Sequence, residues 1–344
     1  MTEQMRLDFF AIQMSILYSE CERNMNLTRR MILALPMFAT GPLRAQENYP
    51  TRPITLVIPS VAGGILDTIG RIVGRSLEPL GQAVVYQNVP GAGSILGTDV
   101  VAKAAADGYT LAVVATSHAI NPSVYAKMPY DTARDLAPIT HTVNLTNLLV
   151  VNPAVQANNL QELIALAKRK PGSLTFGSAG IGQSNHLSGE MLRAAAGIDI
   201  VHVPYKGSAA AMNDALAGHI SMMFVDLLSA MPHVKAGKLR VMAATGFQRS
   251  ASAPDIPTLH ESGLTGFNGN SWLGLVGRAG TPKSVIDKLS ATVTHGLRDS
   301  AMRQRLLAQG VEPVGGSAEE FANFLEIETK RYAAAVLAAG IKRE

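Results

Sequence analysis

The chain has 344 residues, 47% of them hydrophobic and only 16% charged, well below the roughly 25% charged of an average soluble domain. This excludes a mainly disordered protein, and the length predicts two domains rather than one or four. The net charge of +4 comes from 30 Lys and Arg against 26 Asp and Glu, with 5% aromatics; without a run of like charge, this balance argues against nucleic acid as a partner.

Residues 25–30 read Met-Asn-Leu-Thr-Arg-Arg, followed by an apolar stretch at 31–39 and then Leu43-Arg44-Ala45-Gln46. A charged start, a short apolar middle and a small-residue end make a secretory signal peptide. The apolar part is far shorter than the ~18 residues a spanning helix needs. Signal peptides begin at their charged end, so residues 25–45 are the expected signal, cleaved near Ala45, with Met25 as the true start and residues 1–24 as a spurious extension. Thr28-Arg29-Arg30 leaves the general and twin-arginine export routes both open. The only cysteine, Cys21, precedes the cleavage point. A mature chain without thiols suits the periplasm and excludes disulfides, zinc–thiolate sites and cysteine nucleophiles.

Apolar runs without polar alternation follow at 54–58, 83–86 and 111–115 and predict strands of a sheet covered on both faces. Between the first two, Leu66, Ile69, Ile72, Val73 and Leu77 recur at helical spacing. The alternation restarts with strands at 174–176, 200–203, 220–224 and 239–244 and helices at 186–195 and 209–216, which predicts a second α/β domain. Thr281-Pro282 reads as an N-cap with proline at the first helical position. Ser317 and Glu320 form a capping box for a last helix. The two terminal helices, with strand material only at 275–276 and 311–314, are expected to return to the first domain. The domains are therefore set at 46–147 with 269–344, and at 148–268.

Two loops carry binding chemistry. At Ala62-Gly63-Gly64 a predicted strand turns into a helix, and at Ser178-Ala179-Gly180-Ile181-Gly182 the second domain repeats the arrangement. Helix N-termini present unpaired amides and a positive dipole end, so the natural ligand is an anion. One such end contributes only about 0.3–1 kcal/mol, up to about 2 when partly buried, so two must converge. Asp67 complements the first helical turn or the site itself, and Ser117 offers a hydroxyl at the end of the 111–115 strand. Lys206 is read as an exposed lysine. Gly91, Gly93 and Gly97 have the wrong spacing for a dinucleotide fingerprint. No hydrolase, zinc-protease, EF-hand or P-loop motif is present, and His186, His202 and His219 read as structural. No catalytic residue, metal or cofactor is expected.

Several stretches together resemble the Bug-type extracytoplasmic solute receptors of tripartite tricarboxylate transporters, over residues 49–342. They include Tyr49-Pro50, Arg52-Pro53-Ile54, Ala62-Gly63-Gly64 to Asp67, Pro90-Gly91-Ala92-Gly93 and Asp107-Gly108-Tyr109-Thr110-Leu111. Further on come Ser178-Ala179-Gly180 with Gly182, His186-Leu187, Val203-Pro204-Tyr205-Lys206-Gly207, Gly237-Lys238-Leu239-Arg240 and Pro257-Thr258.

The resemblance implies an α/β, two-domain periplasmic-binding-protein (Venus-flytrap) fold, each lobe a mostly parallel sheet flanked by helices. It implies a non-catalytic receptor that grips a carboxylate of a small organic acid or amino acid with Ala62, Gly63, Gly64, Ser178, Ala179, Gly180 and Gly182, with Asp67 near the same carboxylate. Its partners would be membrane transporter subunits or a sensor protein, and the chain is expected to be a monomer. An exported α/β enzyme acting on carboxylates is the alternative. Ile65 and Val225-Asp226 depart from the family pattern; an inward Asp226 would repel a second carboxylate or attract an amino group.

Overall fold

The structure, a computed structural model, describes residues 49–343. The expected extension, signal peptide and cleavage point, with Cys21, lie outside the described residues.

The first βα unit forms as the sequence predicts. Strand β1 (Ile54–Ile58) leads through a glycine loop into α1 (Ile65–Gly74), and the chain continues through a 3₁₀ segment, Arg75–Leu80, into β2 (Val84–Asn88). After a 3₁₀ turn at Ala92–Ser94 come α2 (Ile95–Ala102), β3 (Thr110–Ala115), α3 (Ser117–Val124) and the long strand β4 (Leu136–Leu145). Only Thr146 separates β4 from β5 (Asn147–Val151), where a second sheet begins. That sheet is built with α4 (Leu160–Arg169), β6 (Thr175–Ser178), α5 (Ser184–Ala196), β7 (Val201–Pro204), α6 (Ser208–Ala217), β8 (Met222–Asp226), α7 (Leu227–Lys235) and β9 (Arg240–Ala244). The chain then returns through β10 (Ser271–Arg278), α8 (Lys283–Arg298), α9 (Ser300–Ala308), β11 (Val311–Pro313) and α10 (Ala318–Ala338).

The two sheets have the orders β11-β4-β10-β3-β1-β2 and β7-β6-β8-β5-β9. Each is covered on both faces, which is why its strands read as unbroken apolar runs. In the first lobe Ile54, Leu56 and Ile58 face α1 and α8 through Ile69, Val73, Val285 and Leu289. Val57, Ala112 and Val114 face the opposite way, towards Ile120, Phe321 and Tyr332. In the second lobe Leu149, Val151, Phe176 and Phe224 pack on Leu163 and Leu192, while Leu148, Val150 and Met223 pack on Ala211, Ala215 and Ala230. A fully buried leucine or phenylalanine contributes about 1.5–3 kcal/mol, so these four clusters are the main stabilising term.

The sheets are mixed rather than mostly parallel. The βα units give the parallel pairs β1–β2, β1–β3, β6–β7 and β6–β8. The strands at the crossings between lobes, β4, β5 and β10, pair antiparallel. A chain that leaves one sheet and comes back must run against the strands it left. Thr245 ties the two crossings together: its hydroxyl lies within hydrogen-bond reach of both Asn147 O, at 3.0 Å, and Asn270 Oδ1, at 2.8 Å. The Asn147 amide donates to Gly269 O at 2.8 Å and Ser271 Oγ at 3.0 Å.

The terminal helices return to the first lobe, with β11 on β4. Ser317 and Glu320 close the expected capping box, each bonding the other's backbone amide at 3.1 and 2.7 Å. The expected cap at Thr281 moves by one residue. Pro282 is the N-cap of α8, and the Thr281 hydroxyl instead donates to Arg278 O at 2.7 Å.

Candidate functional site

A cavity of about 220 Å³ lies where strands of both lobes end, lined from the first lobe by Ile65, Leu66, Ser94, Thr116, Ser117 and Trp272 and from the second by Gln183, Ser184, Asn185, Ser208, Phe224 and Asp226, with Asn147 at the crossing. Ligands of open α/β sheets bind outside the carboxyl ends of strands, and this cavity occupies that position in both sheets at once. A larger groove, about 860 Å³, is lined wholly by the first lobe, between α3, residues 125–138 and α10. It meets none of the predicted binding loops.

Five helices begin at the cavity wall. Ile65, Ser117, Ser184 and Ser208 are the first residues of α1, α3, α5 and α6, and Asp226 is the N-cap of α7. The first amides of a helix have no acceptor within it, so α1, α3, α5 and α6 offer the wall backbone N–H groups and positive dipole ends, while those of α7 are taken by Thr146 O and Asp226, and no Lys or Arg is among the lining residues. The floor is apolar, formed by Leu145, Phe224, Trp272 and Leu273. The Trp272 indole is fixed from behind by donating to Glu328 Oε2 at 2.9 Å. The arrangement suits a small molecule with an anionic end and an apolar body.

The predicted residues divide between the wall and the structure behind it. Ser117 and Asp226 line the cavity. Ala62, Gly63 and Gly64 lead into α1 but are not themselves in the wall, which takes the next two residues, Ile65 and Leu66. Asp67 faces away. It is 4% exposed and accepts from the Gly63 amide at 2.8 Å, the Arg71 guanidinium at 2.8 Å and the Asn88 amide at 2.9 Å. Burial pushes its carboxyl up, but the Gly63, Asn88 and Arg71 contacts outweigh this and hold it below its ordinary value. Asp67 therefore consumes a donor of the first loop and shapes that loop.

The second loop is likewise held from within. Ser178 is fully buried, Gly180 N–H donates to its Oγ at 3.1 Å, and Ala179 N–H donates to Asn185 Oδ1 at 3.2 Å. Gly182 N–H donates to His186 Nδ1 at 3.0 Å. The donors at the wall are those of Ser184 and Asn185 at the start of α5. Lys206 is exposed and away from the cavity.

Asp226 caps α7 by accepting from Ser229 N–H and Ser229 Oγ, both at 2.8 Å. It is the only charged side chain in the lining. Residue-by-residue reading misses Ser94, Asn147, Asn185 and Ser208. Ser94 carries a signal in Pro90-Gly91-Ala92-Gly93: four successive positive φ values at Gly91, Ala92, Gly93 and Ser94 turn it inward, a strained backbone of the kind found at functional sites.

A family model described as "Tripartite tricarboxylate transporter family receptor" matches residues 70–341. BugT of Bordetella pertussis is 33% identical over 324 residues, 92% of this chain and 99% of BugT. The solved structure of R. palustris Rpa4515 with adipate is 32% identical, with a TM-score of 0.77 over 86% of this chain and 100% of that one. MatC of Rhodopseudomonas palustris with bound malate is 28% identical, with a TM-score of 0.72 over 84% and 100%.

Proposed function

This chain belongs to the tripartite tricarboxylate transporter receptor family, and we propose that it is an exported, monomeric receptor holding a small carboxylate in the cavity between its lobes and presenting it to a membrane transporter. The observation that carries this reading is the convergence of four helix N-termini, those of α1, α3, α5 and α6, on a cavity without a cationic side chain. Each dipole end adds about 0.3–1 kcal/mol. Four fall short of the roughly 8.2 kcal/mol of micromolar binding, so the serine and asparagine side chains and the apolar floor supply the rest. We assign residues 46–147 with 269–344 to one lobe and 148–268 to the other, with cleavage near Ala45 delivering the chain to the periplasm.

The ligand carboxylate meets the amides at the starts of α1 and α5, behind which Asp67 and Ser178 shape their loops. Asp226 faces the other end of the solute. An anion there repels a second carboxylate and accepts from a hydroxyl or ammonium group, which selects a hydroxy- or amino-carboxylate over a plain dicarboxylate. The protein turns nothing over. Its Ser178–His202 contact of 2.6 Å has the geometry of an activated nucleophile, but Ser178 is fully buried and out of reach of a solute.

Titration calorimetry with adipate, malate and amino acids tests both levels. A hydroxy- or amino-carboxylate is expected to bind more tightly than adipate, and Asp226→Asn to narrow that gap. Folded protein that binds no carboxylate overturns the receptor reading, and an unchanged gap in Asp226→Asn overturns the role of Asp226.

A further inference from the structure

We propose that the groove of about 860 Å³ between α3, residues 125–138 and α10 is a second ligand site, which takes an apolar acid bearing a hydroxyl at the end opposite its carboxylate. The groove lies wholly in the first lobe and shares no lining residue with the cavity between the lobes.

Sites for small molecules are mostly apolar clefts of ~300–1,000 Å³ with a few polar groups that fix orientation. Here the apolar walls come from Pro122, Tyr125, Met128, Leu136 and Leu325. His118 is the polar exception. It lines the groove, is 5% exposed, and its ring makes no hydrogen bond with any described residue. Burial alone pushes it down to about 4, so at neutral pH the ring is uncharged, with one N–H to donate and one nitrogen to accept. Buried polar groups in folded proteins are almost always paired, and an unpaired one facing a groove calls for an occupant that supplies the partner. A hydroxyl both donates and accepts, so it satisfies either tautomer.

The charged residues of the lining set the sign of the other end. Asp131 is occupied by the Ala133 and Arg134 amides, at 3.0 and 2.9 Å. The Arg134 side chain turns to Asp135 at 3.2 Å, and Lys330 pairs with Glu326 at 2.6 Å. Arg343 pairs with no acid among the described residues; its Nε donates to Ser123 O at 3.3 Å. The rest of its planar guanidinium matches a carboxylate in a two-bond pair. His118 and Ser123 are five residues apart on α3, ~7.5 Å along the helix axis. A phenyl ring with its hydroxyl and its carboxylate on opposite sides spans that distance between apolar walls. Helix α3 thereby serves two sites, with Ser117 in the wall of the cavity and His118 in the wall of the groove.

Calorimetric titration with para-hydroxyphenylacetate tests this, with phenylacetate, which lacks the hydroxyl, as its pair. The wild type is expected to bind the hydroxylated acid roughly tenfold more tightly than phenylacetate. His118→Phe keeps a ring but removes its hydrogen bonds, and it is expected to bind both acids equally. At the other end, Arg343→Gln is expected to lose tenfold or more for either acid, and to bind tyramine, which carries an amine in place of the carboxylate, no worse than the wild type does. The His118 ring resonances should shift on addition of para-hydroxyphenylacetate. No binding, a preference for the hydroxyl that survives in His118→Phe, or an affinity for the acids that survives in Arg343→Gln overturns the proposal. A probe seated in the cavity between the lobes gives the last two results. If His118→Phe fails to fold, Arg343→Gln and the His118 resonances of the wild type carry the test: an unchanged affinity or unmoved resonances overturn the site.

Discussion

At the scale of the residue, His118 and His141 show what burial does to a titratable group. Each is pushed down to about 4 from an ordinary value of 6.5, in both cases chiefly by burial. His141 lies against Phe324 at 4.3 Å, and its Nε2 has no hydrogen-bond partner among the described residues. A depressed imidazole refuses a proton in the folded state that the unfolded chain accepts. Its contribution to stability is full above about pH 6.5 and lost as pH falls towards about 4, at about 1.4 kcal/mol per pKa unit. Scanning calorimetry across this window should give a falling Tm, with a shallower slope in His118→Gln and His141→Gln; equal slopes would show that these rings do not set it. Residue types alone marked Ser117 as a candidate at a strand end, and the family resemblance drew attention to Asp226; both line the cavity. Residue types did not reveal that Asp67 turns inward, because three partners from the glycine loop, α1 and β2 decide that.

At the scale of the element, the parallel strands were legible, the crossing strand β10 only at 275–276, and β4 and β5 not at all. Strands β1, β3 and β8 are largely apolar on both faces, so composition marks them. Strand β4 is equally buried but carries Thr140, His141, Thr142 and Asn144. It is tolerated inside because Thr140 Oγ1 donates to Gly316 O at 2.9 Å and Thr142 Oγ1 to Leu273 O at 3.0 Å. An apolar-run criterion misses a strand whose buried threonine hydroxyls are satisfied by distant carbonyls. Helix α5, which brings Ser184 and Asn185 to the cavity, sits close to β6 because Gly189 has no side chain: a Cβ there would meet Phe176 Cε2 at 2.1 Å. Gly189→Ala should cost about 1–3 kcal/mol by overpacking. Urea denaturation checks this, and an unchanged midpoint would mean that Phe176 gives way freely.

At the scale of the whole molecule, the two lobes are joined by crossings that Asn147, Thr245 and Asn270 tie to each other. Asn147 is 6% exposed and also lines the cavity, so one side chain belongs to both the joint and the site. Asn147→Ala should lose about 1–3 kcal/mol from the buried carbonyl left unpaired and alter the small-angle scattering of the ligand-free protein; a variant identical in both would remove Asn147 from the joint. Lobe closure in such a fold needs only that the solute bind one arrangement better than the other. The sequence by itself determined the α/β class, the capping box and the return of the terminal helices to the first lobe. These follow from local pattern: apolar period, glycine at turns, caps at helix starts. Only the tertiary structure decided the mixed sheets, the inward turn of Asp67 and the gathering of Ser94, Asn147, Asn185 and Ser208 on one wall. Those depend on contacts between residues far apart in the chain, and no local propensity encodes which distant partner satisfies a buried polar group.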